Sequence, residues 1–317
     1  PHTGRVKESS RWEFGLHTAM EVKENVKVQD DFDGMAVISL KNYFKIYSKI
    51  AGMSGTIMPV KDELMEIYNL KCASIPTHKP LIRIDKPLRI FKNSVAKDEA
   101  IIRTIIDNMS MGRPTLVGSI TVKRSEEFCS KLDKLGIVYN KLDAKTLKDE
   151  AITISKAGLG KTITISTSVA GRGTDIKPSD DAINAGGLMV IGTDLFGSIR
   201  IDSQLKGRSG RQGNPGSSEF YVSLEDQILR HLTKNELQRL RKAAILLPGE
   251  EIHDDKVGRL FEKAQANCES YFKNCRKEIA RKDDIIAPQR KKFYVQRNAG
   301  LFNADEANAI VNTIILQ

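Results

Sequence analysis

Between residues 95 and 192 the hydrophobic pattern switches repeatedly between a helical period and a strand period, and no other feature narrows the possible folds so far. Helical spacing over 95–110 precedes a short apolar run at 114–120, 124–135 precedes 137–142, and 147–157 precedes 162–167. A further apolar run follows at 187–192. Strands joined through a helix run parallel, so the pattern predicts a doubly wound parallel sheet with helices on both faces. Open sheets of this kind present their functional loops at the carboxyl ends of the strands. That rule predicts one rim carrying Ser119, the segment 167–175 and the segment 192–211.

The flanks read differently. Residues 13–24 carry helical spacing, 35–40 (MAVISL) read as a strand, and Tyr43, Phe44, Tyr47 and Ile50 predict a helix that stops at Gly52. Another helix is predicted from Pro59 to Tyr68, with Pro59 in the first turn, where its missing N–H costs nothing. Three prolines within 76–87 suit an inter-domain connection better than the interior of an element. From Asp254 to Arg297 apolar residues from Val257 to Ile279 keep three/four spacing among lysines and arginines, which predicts one long amphipathic helix. Pro288 should bend or interrupt it. The chain changes character beyond Pro248-Gly249, and it is read as three segments, 1–79, 80–235 and 236–317.

A chain of 317 residues has room for about two domains, and no window approaches the ~18–20 uninterrupted apolar residues of a membrane span. Lysine and arginine outnumber aspartate and glutamate by 50 to 40. The resulting charge of +10 favours a polyanionic partner: nucleic acid, nucleotide phosphates or an acidic lipid surface. Cys72, Cys129, Cys268 and Cys275 show no Cys-x-x-Cys spacing and no histidines placed to complete a zinc site, so they read as reduced thiols of a cytosolic protein. His17, His78, His231 and His253 are scattered, and Trp12 reads as packing or interface. With no initiator methionine and no signal segment, the chain is expected to begin inside a longer polypeptide.

Two runs carry chemistry. Gln204-Leu205-Lys206-Gly207-Arg208-Ser209-Gly210-Arg211-Gln212-Gly213 sets two arginines three apart among glycines. On a helix start they would face one side, and their guanidinium forks would stabilise the charge of a transferring phosphoryl group. Thr167-Ser168-Val169-Ala170-Gly171-Arg172-Gly173-Thr174-Asp175-Ile176 follows a predicted strand, and Asp175 could accept from a ribose hydroxyl or orient an arginine. A third run, Gly158-Leu159-Gly160-Lys161-Thr162, imitates a phosphate-binding loop. Such a loop must open a helix, whereas Thr162-Ile163-Thr164-Ile165-Ser166 alternates as a strand, so this run is read as a turn.

Together the arginine and Gly-Arg-Gly-Thr-Asp runs resemble motifs VI and V of superfamily-two helicase-like motors, in the wording of the SecA protein-translocation ATPases. Ala51-Gly52-Met53-Ser54-Gly55-Thr56 resembles the family's motif III, and Thr115-Leu116-Val117-Gly118-Ser119 with Ser125-Glu126 its motif IV region. His2-Thr3-Gly4-Arg5, Gly15-Leu16-His17, Arg200-Ile201-Asp202 and Phe220-Tyr221-Val222-Ser223-Leu224-Glu225-Asp226 extend the resemblance nearly collinearly to about residue 297. Departures at Asp194–Ser198, Pro1 and Pro288 leave a housekeeping and an accessory form both open.

The resemblance implies an α/β fold: a RecA-like doubly wound parallel sheet forming the second motor lobe, preceded by the C-terminal part of a first nucleotide-binding lobe and followed by a long helical scaffold. It implies that Asp175, with Arg172, Gly173 and Thr174, binds ATP or ADP. Arg208 and Arg211 would act as arginine fingers supported by Gln204, while Gly52, Ser54, Gly55 and Thr56 would couple nucleotide state to lobe movement. Magnesium ligands and the phosphate loop are expected in an upstream half. Implied partners are the SecYEG-type Sec channel, unfolded preproteins, acidic membrane lipids and a second copy in a homodimer, on the cytoplasmic face of the cell membrane; nucleic acid is not expected. A superfamily-two nucleic-acid helicase and a non-catalytic binding module are the rival readings.

Overall fold

The computed structural model describes residues 11–12, 15–30, 37–142, 147–167 and 174–315. The chain divides into two compact units. The first is built mainly from residues 72–269 with pieces up to residue 29 and at 54–59; the second comprises 30–53, 60–71 and 270–317.

In chain order the elements are α1 (Leu16–Lys23), α2 (Leu40–Lys45), α3 (Lys61–Tyr68), β1 (Ile84–Asp85), β2 (Arg89–Phe91), α4 (Ser94–Ser110), β3 (Thr115–Ser119), α5 (Val122–Lys134) and β4 (Asn140–Leu142). There follow α6 (Leu147–Lys156), β5 (Ile163–Thr167), α7 (Asp180–Asn184), β6 (Leu188–Gly192), α8 (Ile199–Lys206), β7 (Gly216–Ser223), α9 (Lys234–Leu246), β8 (Glu251–Ile252), α10 (Asp255–Phe302) and α11 (Ala304–Ile315). The sheet runs β4-β5-β3-β6-β7-β2-β8, parallel except for β8, and β1 pairs with the start of β7 ahead of β2. This is the doubly wound parallel arrangement that the alternating pattern predicts.

Alternation within the strands explains the two buried faces. In β3, Val117 joins Ile101 and Ile105 of α4 and Phe128 and Leu132 of α5, whereas its neighbour Leu116 joins Ile154 of α6 and Leu205 of α8. All eight residues of β7 are buried, as a central strand covered on both faces requires. A third cluster joins Val222 to Leu240 of α9, Ile252 of β8 and Val257, Phe261 and Cys268 of α10. Asn93, Thr121 and Ser198 cap α4, α5 and α8 by accepting from backbone N–H groups of the first turn.

The second unit contains α2, α3, α11 and most of α10. Charge pairs tie the short helices to the long one: Arg276 donates to both oxygens of Glu63 (2.6 and 2.9 Å), and Lys277 reaches Glu66 at 2.7 Å. Nearer Pro288, Lys41 contacts Asp284 at 2.6 Å, and Tyr294 bonds to the backbone of Val37.

Several expectations are corrected. Residues 37–39 form no strand; Ser39 instead accepts from the Asn42 N–H and starts α2, which ends at Lys45 rather than near Gly52. Residues 35–36 lie outside the described residues. Pro288 does not interrupt α10. The helix is gripped on both sides of the proline, by Asp284 before it and Tyr294 after it, which offsets the lost backbone bond. Residues 158–162 form a turn between α6 and β5, as expected, with Lys161 in the left-handed region.

Candidate functional site

The arginine run begins in a crossover helix. Gln204 lies in α8, Gly207 ends it, and Ser209 fastens the next residues to the sheet by donating to the Leu188 carbonyl at the start of β6 (2.6 Å). Gly216 then opens β7, where an added Cβ would meet the Ser209 hydroxyl at 2.0 Å. Gly210 has φ 70°, and its missing side chain lets Arg83 pack close, with an added Cβ only 2.6 Å from the Arg83 Cβ. Arg83 in turn donates to the Ser209 carbonyl (3.2 Å) and to both oxygens of Asp85 (2.7 and 3.0 Å). The glycines are therefore a matter of close backbone approach.

This geometry corrects two expectations. Arg208 follows the C-terminus of α8 and Arg211 begins a single 3-10 turn, so the pair does not sit on a helix start. The segment also lies at the amino edge of the sheet, beside the first residues of β6 and β7, and not on the carboxyl rim with Ser119 and Gly192. The reason is topological. A crossover helix carries the chain from the end of one parallel strand back to the beginning of the next, and the arginines come after that helix.

Asp175 comes back to the same edge. Arg211 Nη1 contacts Asp175 Oδ1 at 2.7 Å and the Thr174 carbonyl at 3.5 Å, while its Nε donates to the Gly207 carbonyl at 2.8 Å. Arg172 and Gly173 lie outside the described residues. A cavity of about 510 Å³ opens between the connecting segment 77–81, Asp175 and the segment 210–213. Its size falls in the range of small-molecule sites. His78, Lys79 and Arg211 supply donors on its walls and Asp175 an acceptor, a donor set that fits a nucleotide's phosphates and hydroxyls.

Of the motif III positions, Thr56 is brought to α8: Gln204 Nε2 donates to Thr56 Oγ1 at 3.3 Å. Ser54 Oγ lies 3.4 Å from the same hydroxyl and accepts from the Thr56 N–H. Gly52 and Gly55 have open space around them. Among the described residues no cluster of three His, Cys, Asp or Glu side chains could hold a metal ion.

A charged cluster that the sequence reading missed occupies the carboxyl rim. Lys97, 1% exposed, bridges Asp194 (2.8 Å) and Asp226 (2.6 Å), and Arg124 and Lys131 converge on Asp98. Burial raises Asp226 above the usual carboxylate range despite its lysine. Nearby Asp202 is pushed up to about 7 by burial, against hydrogen bonds from Gln265 and the Phe196 N–H that favour its charged form. Asp202 in the Arg-Ile-Asp run, Asp226 at the end of the Phe220–Asp226 run and Asp194 at the start of a departure from the family pattern were each noticed singly; nothing in the spacing of Lys97, Asp194 and Asp226 marks them as neighbours.

The family model of the SecA P-loop domain matches residues 80–182 and 177–246. Those of the SecA DEAD-like domain and the SecA wing and scaffold domain match 4–65 and 251–317. The protein translocase subunit SecA of Caldicellulosiruptor saccharolyticus is 41% identical over 312 residues, 98% of this chain and 37% of its own length. That of Campylobacter lari is 43% identical over 296 residues, 93% of this chain and 34% of its own length. The chain thus spans little more than a third of such relatives. Among solved structures, the yeast DEAD-box splicing factor Prp28 is 17% identical, with a TM-score of 0.41 over 66% of this chain and 44% of that one.

Proposed function

The chain belongs to the SecA family, and from that premise we propose that it supplies the arginine-bearing side of the ATP site in a motor that moves unfolded preproteins through the Sec channel. In this reading residues 1–79 end the first nucleotide-binding lobe, 80–235 form the second, and 236–317 provide the helical scaffold. The observation that carries it is the Arg211–Asp175 pair on the wall of the cavity at the sheet's amino edge.

The pair is suited to exchange. Arg211 and Asp175 are 37% and 45% exposed, and an ion pair so open to water contributes only ~0–1 kcal/mol. Nucleotide phosphates, with more charge than one carboxylate, would draw the guanidinium away and leave Asp175 to accept from a ribose hydroxyl. Arg208 would join Arg211 in offsetting the charge that develops on the phosphoryl oxygens. ATP supplies the free energy when bound, and magnesium is expected to be ligated by the part of the longer relatives that this chain does not span. Gln204 would report the change to motif III through Thr56. Arg172, Gly173 and Thr174 would complete the nucleotide contacts.

The partners proposed with this function are the SecYEG-type channel, preproteins and acidic lipids on the cytoplasmic side of the membrane, with a second copy as a possible dimer mate. The test is steady-state ATP hydrolysis by the full-length protein with channel-bearing vesicles and an unfolded preprotein. Arg208→Ala and Arg211→Ala should each lower kcat ~10³-fold and leave ATP affinity within a few fold, and lysine should rescue neither, because it lacks the planar fork. Normal turnover in both variants, or stimulation by single-stranded nucleic acid in place of preprotein, would overturn the proposal.

A further inference from the structure

The helix that leads to the arginines is fastened over its first half by polar groups that phosphoryl transfer itself does not use. Asp202, 5% exposed, receives a donor on each oxygen: the Phe196 N–H on Oδ1 (3.0 Å) and Gln265 Nε2 on Oδ2 (2.5 Å). The same Gln265 nitrogen reaches the Phe196 carbonyl at 2.7 Å. One turn away on both helices, Ser198 Oγ donates to Glu269 Oε1 at 2.9 Å. Residues 198 and 202 on one side and 265 and 269 on the other are each four apart, so two rungs join the same face of α8 to the same face of α10. At its far end α8 presents the Gly207 carbonyl to Arg211 Nε (2.8 Å), and Arg211 continues to Asp175. Asp202 lies midway along α8, so at ~1.5 Å per residue about 7 Å of backbone separates its rung from the Gly207 carbonyl that Arg211 uses.

We infer that Asp202 and Gln265 are positioning residues: they hold α8 against the first turns of α10 and so set the Arg211 guanidinium at the nucleotide cavity. The inference rests on the nucleotide reading above. An apolar pair would fill the same space without the cost of desolvating a carboxylate. The two hydrogen-bonded oxygens instead fix one axial and rotational setting of α8, because both donors are met only in that register. A shift of about 1 Å in the guanidinium is enough to cost up to ~10²-fold in rate.

The experiment measures ATP hydrolysis by the full-length protein and three variants: Gln265→Leu, Arg211→Ala and the double substitution. Gln265→Leu should lower kcat ~10-fold with KM for ATP within about twofold, and should change kcat less than about twofold when Arg211 is already alanine, because residues acting through one group are non-additive. Wild-type turnover in Gln265→Leu beside a crippled Arg211→Ala overturns this inference alone; wild-type turnover in Arg211→Ala overturns the nucleotide reading and this inference with it. A loss of equal size with and without Arg211 makes Gln265 an ordinary core residue and also overturns it.

Gln265→Glu gives a second readout. It faces Asp202 with another carboxyl, in the field of Glu269 on α10 and of Lys206 on α8. Two such groups can pair only by sharing a proton. Its turnover relative to wild type should therefore recover as the pH falls from about 8 to about 6, and a flat ratio would overturn the inference.

Discussion

Asp175 and Asp202 are both aspartates within reach of a nitrogen donor, yet their surroundings give them different work. Asp175 is 45% exposed, and in the proposed nucleotide site Asp175→Ala should weaken ATP and ADP binding by ~1–3 kcal/mol, the cost of a lost charge-assisted hydrogen bond. Equilibrium titration with a fluorescent nucleotide checks this, and unchanged affinity would make the residue structural. Asp202 is buried, and burial pushes its carboxyl up to about 7, well above an ordinary carboxylate at about 4. The folded state therefore holds this proton more tightly than the unfolded chain does. The associated stability is fully present below about pH 4 and is lost as the pH rises through about 7. Wild type should accordingly lose stability relative to Asp202→Asn between about pH 5 and pH 8, and a gap between their thermal midpoints that stays constant with pH would contradict the assignment.

At the scale of elements, the turn 158–162 shows how a sequence imitates a phosphate site without forming one. It leads into a strand and offers no helix N-terminus, so Lys161→Ala should leave nucleotide affinity and turnover unchanged. Gly158→Ala, by contrast, should destabilise the lobe by ~1–3 kcal/mol, since the new Cβ would lie 2.0 Å from the Lys177 carbonyl oxygen; chemical denaturation separates the two variants. Most strands and helices between 94 and 192 were legible because they repeat their period over several residues under one burial demand; α7, five residues long, was not. β2 and β8 were not: three and two residues long, they hold their place by pairing and not by pattern. The site was half legible. The arginine run stood out in the sequence, but its edge of the sheet depended on where β7 begins, and Gly-Ser-Ser-Glu offers no hydrophobic signal for that. Pro288 misled for a related reason, because the contacts of Asp284 and Tyr294 with residues 37 and 41 lie some 240 positions or more away in sequence.

For the whole molecule, hydrolysis needs a phosphate cradle, a held metal and a positioned water as well as arginines. This chain by itself should release no phosphate from magnesium-ATP above the uncatalysed rate. Activity should appear when the remaining part of the motor is added in trans and vanish again with Arg211→Ala; robust hydrolysis by the chain alone would refute the partial-site reading. Residues 72–269 contain the complete sheet and the helix segments covering it, so a protein ending at 269 should fold cooperatively. The paired rungs between α8 and α10 also leave a mark on descent. A carboxylate whose two oxygens are both spoken for tolerates no neighbour that lacks a donor, so positions 202 and 265 should mutate in concert across relatives, whereas 198 and 269, with a lone hydroxyl contact between them, should drift more freely.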